Sequence, residues 1–255
     1  MRREPPLAWV VINRPRARNA MTRAVWQGLA HELPALGSDS AIRVIVLRGA
    51  GDESFISGAD ISEFPEIRAN AAMTAEYDRI TASAWLAIAS VPQPVIAMVN
   101  GLCYGGGCSV ALACDLRFAA DHARFAIPAA RLGLSYPLEA IEHLVHVVGP
   151  SAAADILLST RAFDAAEALH MGFVNQVVPR AELEQRTRDY AVRMADNAPL
   201  TLAAHKLAIH QLQRPSAERD VVAIRAAAER CFNSEDYREG VAAFLEKRKP
   251  RFRGR

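Results

Sequence analysis

Two stretches of this chain, Ile42 to Leu47 and Pro94 to Val99, are β-branched and aliphatic almost throughout, and each runs directly into a loop of glycines and small residues. A strand with one wet face alternates apolar and polar residues, whereas a strand covered on both faces does not. These two stretches therefore predict a buried parallel sheet. The segments around them fit: Leu7 to Asn13 reads as a further strand, and Leu116 to Ala119 as a short one. Thr22 is placed to cap a helix running to about Leu36, with Val25, Trp26, Leu29 and Leu33 at helical spacing. Met73 to about Ala89 is helical in pattern. Repeated strand, turn and helix units imply right-handed parallel crossovers, hence an α/β fold.

Beyond Ala119 the pattern becomes mostly helical. Asp164-Ala165-Ala166-Glu167 has the form of a capping box, and helices are expected from about Arg180, Thr201, Ala217 and Ser234. Asn197-Ala198-Pro199 is the expected hinge, dividing a sheet-bearing core (1–197) from a helical C-terminal region (198–255). No internal repeat or low-complexity tract is visible. A chain of 255 residues buries most of the surface it exposes when unfolded, and 51% hydrophobic with 23% charged residues is ordinary for a globular protein. Cys103, Cys108, Cys114 and Cys231 contain no CxxC pair, so a reduced, cytoplasmic setting is expected. The N-terminal residues lack the apolar core of a signal peptide, and no stretch has about 18 uninterrupted apolar residues. The net charge of +2 and the lack of aromatic interleaving in the basic C-terminus argue against nucleic acid as a partner.

Chemistry is expected at Asn100-Gly101-Leu102-Cys103-Tyr104-Gly105-Gly106-Gly107-Cys108-Ser109, between the second buried strand and an apolar helix-like segment. Glycines let a backbone approach a ligand, and a helix beginning there points unpaired N–H groups and the positive end of its dipole outward. The spacing is not GxGxxG, and no Walker-type GxxxxGK[ST] occurs, so nucleotide folds lose weight. Phe55-Ile56-Ser57-Gly58-Ala59-Asp60-Ile61 follows the first buried strand in the same way. Loops at the carboxyl ends of neighbouring parallel strands emerge together. One N–H from each loop would form a two-donor oxyanion hole.

These segments together with Ala113-Cys114-Asp115-Leu116-Arg117 resemble the crotonase superfamily, the enoyl-CoA hydratase/isomerase group. The likeness extends through Asn13-Arg14-Pro15, Asn19-Ala20-Met21, Phe125 to Pro128, Leu132-Gly133, Ala165 to Ala168, Gly172 to Asn175 and Phe244 to Pro250. It implies a spiral of ββα units with a helical C-terminal trimerisation region, and a lyase or isomerase that holds no permanent cofactor and takes coenzyme A as part of its substrate. It implies that the N–H groups of Ala59 and Gly106 bind the thioester oxygen. It implies coenzyme A contacts from Arg14, Arg18, Ala20, Ser57, Ala59, Asp60 and Ile61, and from Phe244 and Lys247, the last two across a homotrimer or dimer of trimers. No membrane partner is implied.

The departures from that family pattern shape the expected reaction. Where hydratases carry two glutamates this chain has Ser109 and Ala129, and where they carry a lysine after Gly-Ala-Asp-Ile it has Ser62. A lone serine hydroxyl is a poor general base and alanine has no proton to give, so ordinary hydration is not expected. The stretch Gly133 to Leu144 resembles methylmalonyl-CoA decarboxylases, in which a tyrosine at the position of Tyr136 faces the substrate's carboxylate, although the histidine those enzymes carry in the Gly-x-Asp motif is Ala59 here. Tyr136 is thus the first candidate catalytic side chain, against a packing role. Glu139 is a second, against plain helix-end electrostatics. His143 and His146 stand at i, i+3 with no third metal ligand in view, so no metal is expected. Asp60 and Asp115 read as structural carboxylates. Decarboxylation, hydrolysis or isomerisation compete with a non-catalytic acyl-CoA-binding protein.

Overall fold

The computed structural model describes residues 1–255. Ten strands fall into two sheets. β1 (Arg2–Glu4), β2 (Leu7–Ile12), β3 (Val44–Gly49), β4 (Ser54–Ile56), β5 (Val95–Val99), β6 (Leu102–Tyr104), β7 (Leu116–Ala120), β8 (Arg124–Ala126), β9 (Phe163–Asp164) and β10 (Gln176–Val178) follow in chain order. The first sheet has the order β1-β2-β3-β5-β7-β10, parallel except for β1, and the second has the order β4-β6-β8-β9, with only β9 antiparallel. The helices are α1 (Arg23–Gly37), α2 (Phe64–Ile67), α3 (Ala71–Ser90), α4 (Gly106–Ala113), α5 (Leu138–Ser159), α6 (Ala165–His170), α7 (Leu183–Ala195), α8 (Pro199–Leu212), α9 (Val221–Asn233) and α10 (Glu235–Leu245).

The chain winds as a spiral whose turns repeat strand, strand, helix: β3 and β4 lead to α3, β5 and β6 to α4, β7 and β8 to α5. Each turn places one strand in each sheet. Although no repeat is visible in the residues, the topology recurs, because buried strands of different composition satisfy the same requirement for apolar faces.

Both faces of the first sheet are covered, as its apolar runs require. Val95, Ala97 and Val99 of β5 join the main core with the second sheet, α1, α3 and α4. Ile96 and Met98 face the other way, with Trp9, Val46 and Phe118, against Leu183, Ala191 and Ala195 of α7. The strand at Ile42 to Leu47 is displaced by two residues, starting at Val44. The short strands of the second sheet have no signature in the residues for a reason of size: three-residue strands such as β4, β6 and β8 carry too little periodicity.

Helix starts follow side-chain oxygens. Thr22 Oγ1 accepts from the N–H of Val25 at 3.3 Å, and the Asp164–Glu167 capping box closes in both directions. α9 begins at Val221, not near Ala217, because Asp220 supplies the cap to Ala223 at 2.8 Å. α5 has the length and mean hydropathy of a membrane span, but Gly149 breaks it at φ 77° ahead of Pro150, and Leu144, Ala153 and Ile156 sit in the core. The helices beyond Asn197 are tied to the sheets: buried Lys206 of α8 reaches the Gln93 carbonyl at 3.1 Å, and Arg43 donates to the Phe252 carbonyl at 2.9 Å.

Helix α4 meets β4 of the second sheet through glycine. A Cβ on Gly107 would lie 2.3 Å from the carbonyl oxygen of Ile56, far inside van der Waals contact. Gly28, in α1, has nothing within 4 Å of that position. In urea unfolding, Gly107→Ala is expected to lose roughly 3 kcal/mol or more through overpacking against backbone. Gly28→Ala should gain roughly 0.5–1 kcal/mol from reduced unfolded-state freedom in a helix interior.

Candidate functional site

β4 and β6 are hydrogen-bonded parallel neighbours, so the loops that leave their carboxyl ends share one side of the second sheet, and the loop carrying Ala59 leaves β4 rather than the buried strand β3. The loop after β4 carries Ser57, Gly58, Ala59 and Asp60; the turn after β6 opens α4 at Gly106. Ala59 N lies 3.6 Å from the point where a Gly106 side chain would start, and Trp26 Cζ2 lies 3.2 Å from it. A side chain at Gly106 would crowd Trp26 and fill the space before Ala59. The Ala59 N–H donates to no acceptor in the protein, while its neighbours are engaged: Met21 N–H donates to the Gly58 carbonyl at 2.8 Å and Asp60 N–H to the Met21 carbonyl at 2.9 Å. Gly106, first in α4, belongs to the turn whose N–H groups a helix leaves without internal partners. Two backbone donors therefore border one small space.

The loop carrying Ala59 is held by charge and by a buried amide. Arg14 bridges to Asp60 at 2.9 Å and donates to the Ala20 carbonyl at 2.6 Å. Hydrogen bonds from Ser62 and then Arg14 hold the Asp60 carboxyl below its usual range. Asn19, buried and with φ 58°, donates to the carbonyls of Ala50 and Ser54 at 2.9 and 2.7 Å and accepts from Arg14 N–H at 3.0 Å. The expected coenzyme A contacts divide on this basis. Ala20, Ser57, Ala59 and Asp60 are half-buried together in these loops, with Ser57 N–H on the Arg18 carbonyl at 3.1 Å; Arg18 and Ile61 are exposed. Phe244 and Lys247, at the end of α10, are exposed on this chain.

The far end of α4 is closed by a buried cation. Arg117 donates to the carbonyls of Cys114 at 2.8 Å and Phe173 at 2.7 Å, which places positive charge at the helix C-terminus. Asp115 beside it accepts from Val95 N–H at 2.7 Å, Lys206 at 2.8 Å and His210 at 3.3 Å. Burial works to raise the Asp115 pKa, but the His210 bond and the Lys206 charge outweigh it and leave it lowered. Asp115 is thus a docking point for α8.

Tyr136 lies near the glycine run, its hydroxyl donating to the Gly105 carbonyl at 2.9 Å. Burial first, and then the neighbouring Cys108 and Cys103, push its pKa well above 10. Ser109 is half-buried one turn into α4, and Ala129 opens the short turn that precedes Tyr136. Glu139 is exposed and lines a separate cavity of about 570 Å³ with Glu142, His143, His146, Lys206 and His210; Ala59, Gly106, Ser109 and Tyr136 are not part of that wall. No three His, Cys, Asp or Glu side chains converge in metal-binding geometry.

An enoyl-CoA hydratase/isomerase family model matches residues 2–255. The chain belongs to the enoyl-CoA hydratase/isomerase family. It is 33% identical over 252 residues to the crotonyl-CoA hydratase of Syntrophomonas wolfei, covering 99% of this chain and 96% of that one. It is 32% identical over 249 residues to the short-chain-enoyl-CoA hydratase of Clostridium acetobutylicum, covering 98% and 95%. The crystal structure of an enoyl-CoA hydratase/carnithine racemase from Magnetospirillum magneticum superposes with a TM-score of 0.94 at 38% identity, over 99% of this chain and 94% of that one. As an enoyl-CoA hydratase/isomerase family member the chain has the crotonase fold, with an enoyl-CoA hydratase-like frame for acyl-CoA.

Trp26, Lys206 and His143 each have a structural part that residue spacing does not reveal. Trp26 was a helix-spacing residue, yet its ring walls Gly106 and its Nε1–H donates to Tyr77 at 3.1 Å. Nothing in its spacing marks it out from Leu29 or Leu33. Lys206 offered a faint signal, one charge in an otherwise apolar helix face. His143 packs edge-on to Trp85 with ring centroids 5.6 Å apart, and burial first, then Arg117, His210 and His146, lower its pKa from 6.5 to about 4. The unfolded chain therefore binds a proton that the folded one refuses. Stability present above pH 6.5 should fall as the pH drops toward about 4. Denaturation midpoints across that window should show a smaller slope for His143→Gln than for the native protein.

Proposed function

We propose that this chain binds an acyl-CoA thioester and stabilises its enolate with the N–H groups of Ala59 and Gly106. The observation that carries the reading is the open Ala59 N–H beside the bare Cα of Gly106, at the positive end of α4. As a thioester is converted to its enolate, negative charge builds on the former carbonyl oxygen. Donors held by the backbone meet that charge without reorganising. The identical role in a hydratase would need no side chain at either position, so the loss of family glutamates leaves this part of the chemistry intact.

The side chains favour reactions that need no activated water. Ser109 and Ala129 occupy the positions where the family resemblance places the two glutamates, and neither works as a carboxylate acid or base. Loss of carbon dioxide from a malonyl-type acyl group suits such a site. The electron pair of the breaking C–C bond passes into the thioester carbonyl and forms the enolate directly, leaving only a protonation at carbon. One observation favours a second reading, a non-catalytic acyl-CoA-binding protein: the Tyr136 proton is already engaged by Gly105 and is held there by a raised pKa.

The assembly belongs to the same proposal. Val222, Phe232, Phe244 and Leu245 are 78%, 67%, 83% and 74% exposed on α9 and α10, a concentration of apolar surface that supports a trimer or dimer of trimers. In that arrangement Phe244 and Lys247 would reach coenzyme A on a neighbouring copy.

Crotonyl-CoA hydration, followed by loss of the enoyl-thioester absorbance, should be absent or at least about 10²-fold slower in the native chain than in the double variant Ser109→Glu, Ala129→Glu, since a positioned acid or base contributes about that much. Carbon dioxide release from malonyl-type thioesters is the expected native turnover. Robust native hydration would overturn the reading of Ser109 and Ala129, and tight acyl-CoA binding with no turnover of any thioester would favour the binding protein.

A further inference from the structure

Tyr136 is separated from the proposed oxyanion donor by a single peptide unit. Its hydroxyl donates to the Gly105 carbonyl at 2.9 Å, and that carbonyl belongs to the same amide as the N–H of Gly106. In a trans peptide the C=O and N–H point in opposite directions, so a group that fixes one fixes the other. The Gly105 oxygen also accepts from Ser109 N–H at 3.2 Å, and Gly105 N–H donates to the Ala126 carbonyl at 2.8 Å. Gly105 itself holds φ 48° and ψ −112°, a conformation that an ordinary side chain would not tolerate. With such freedom on one side of the amide, the plane needs an external hold.

The loop is built to supply it. Gly133 turns the chain at φ 68°, Leu134 N–H donates back to the Ala129 carbonyl at 3.1 Å, and Tyr136 packs against the main core before Pro137 opens α5. A carbonyl accepts and never donates, so the contact requires the phenol in its protonated form. Burial preserves that form.

We propose that Tyr136 is a positioning residue: by donating to the Gly105 carbonyl it sets the plane of the Gly105–Gly106 amide and strengthens the Gly106 N–H as a donor to a developing oxyanion. The proposal rests on the two-donor reading above and deepens it. Two effects act together. Geometrically, the hydroxyl anchors the carbonyl end of the amide so that the N–H faces the space beside Ala59. Electronically, hydrogen bonds in series polarise one another, a gain of about 10–30% per bond. The proton stays on Tyr136 throughout, so the residue contributes without serving as an acid. This differs from a tyrosine facing the substrate directly, because its effect must pass through the backbone and be visible in the ligand-free protein.

The test uses the full-length protein in two measurements. Selective ¹⁵N-glycine labelling reports each of the 14 glycines, and the Gly106 amide resonance should move in Tyr136→Phe without ligand. A chromophoric cinnamoyl-type CoA thioester, whose absorption shifts to the red as its carbonyl is polarised, then reports the oxyanion site at saturation. The native protein should give a red shift, and Tyr136→Phe should cut it by roughly a third. A native red shift that is unchanged in Tyr136→Phe overturns the positioning role while leaving the two-donor reading standing, as does an unmoved Gly106 resonance. A native protein that binds the probe with no red shift overturns the two-donor reading itself. If Tyr136→Phe fails to fold, 3,5-difluorotyrosine at position 136 replaces it; the stronger donor should enlarge the red shift, and no enlargement overturns the proposal.

Discussion

Everything at the candidate site depends on backbone lying directly on backbone where the loop after β5 and the start of α4 rest on the segment that forms β4. A Cβ at Gly101 would sit 2.1 Å from the Glu53 carbonyl oxygen, and one at Gly107 would sit 2.3 Å from that of Ile56. No side chain, however flexible, fits such gaps. This closeness lets β4 and β6 pair, and pairing brings the turn before α4 beside Ala59. The two loops are thus placed by main-chain geometry, with side chains serving to fasten them. Asn19 ties three segments together, using both amide N–H groups as donors and its oxygen as an acceptor, and the Arg14–Asp60 bridge closes the outer edge.

The opposite end of α4 shows how a buried charge is made tolerable. Arg117 is 5% exposed, and its direct contacts are carbonyl oxygens. Removing such a group would leave those carbonyls buried without partners, at a cost well above that of a surface ion pair. Asp115 next to it gathers Lys206 and His210 from α8, so the helix whose N-terminus borders the candidate site and the helix that begins the C-terminal region share one electrostatic anchor. Sheet, site helix and C-terminal region are coupled by that short stretch of chain.

The first sheet was legible in the residues because its strands are apolar on both faces, a pattern that survives without knowledge of the fold. β5 and β7 were placed within a residue of their ends. The second sheet was not, because three residues of Ser54–Ile56 or Leu102–Tyr104 look like loop, and pairing alone makes them strands. At the site, the glycine run reads in sequence as backbone open to a ligand, and the structure gives part of it, Gly107, a different task, close packing on the Ile56 backbone. Tyr136 was legible as a residue of interest but not in its direction: no sequence pattern says that its hydroxyl turns toward Gly105 and not outward. Glu139, the other sequence candidate, lines a different cavity, because the first turn of α5 puts it on the same wall as Glu142, His143 and His146 with Lys206 and His210 of α8.

Three buried thiols belong to the site helix α4 and the strand before it: Cys103 of β6, Cys108 of α4 and Cys114 at the end of α4. Cys108 donates to the Cys103 carbonyl at 3.0 Å, Cys114 donates to that of Val110 at 3.3 Å, and burial drives the Cys114 pKa to about 12. In the closed protein such groups are chemically silent, since the thiolate is the reactive form. Their silence makes them a clock: a thiol buried this fully meets an alkylating reagent only when the core around it opens, so the rate of labelling measures how often α4 and β6 are exposed.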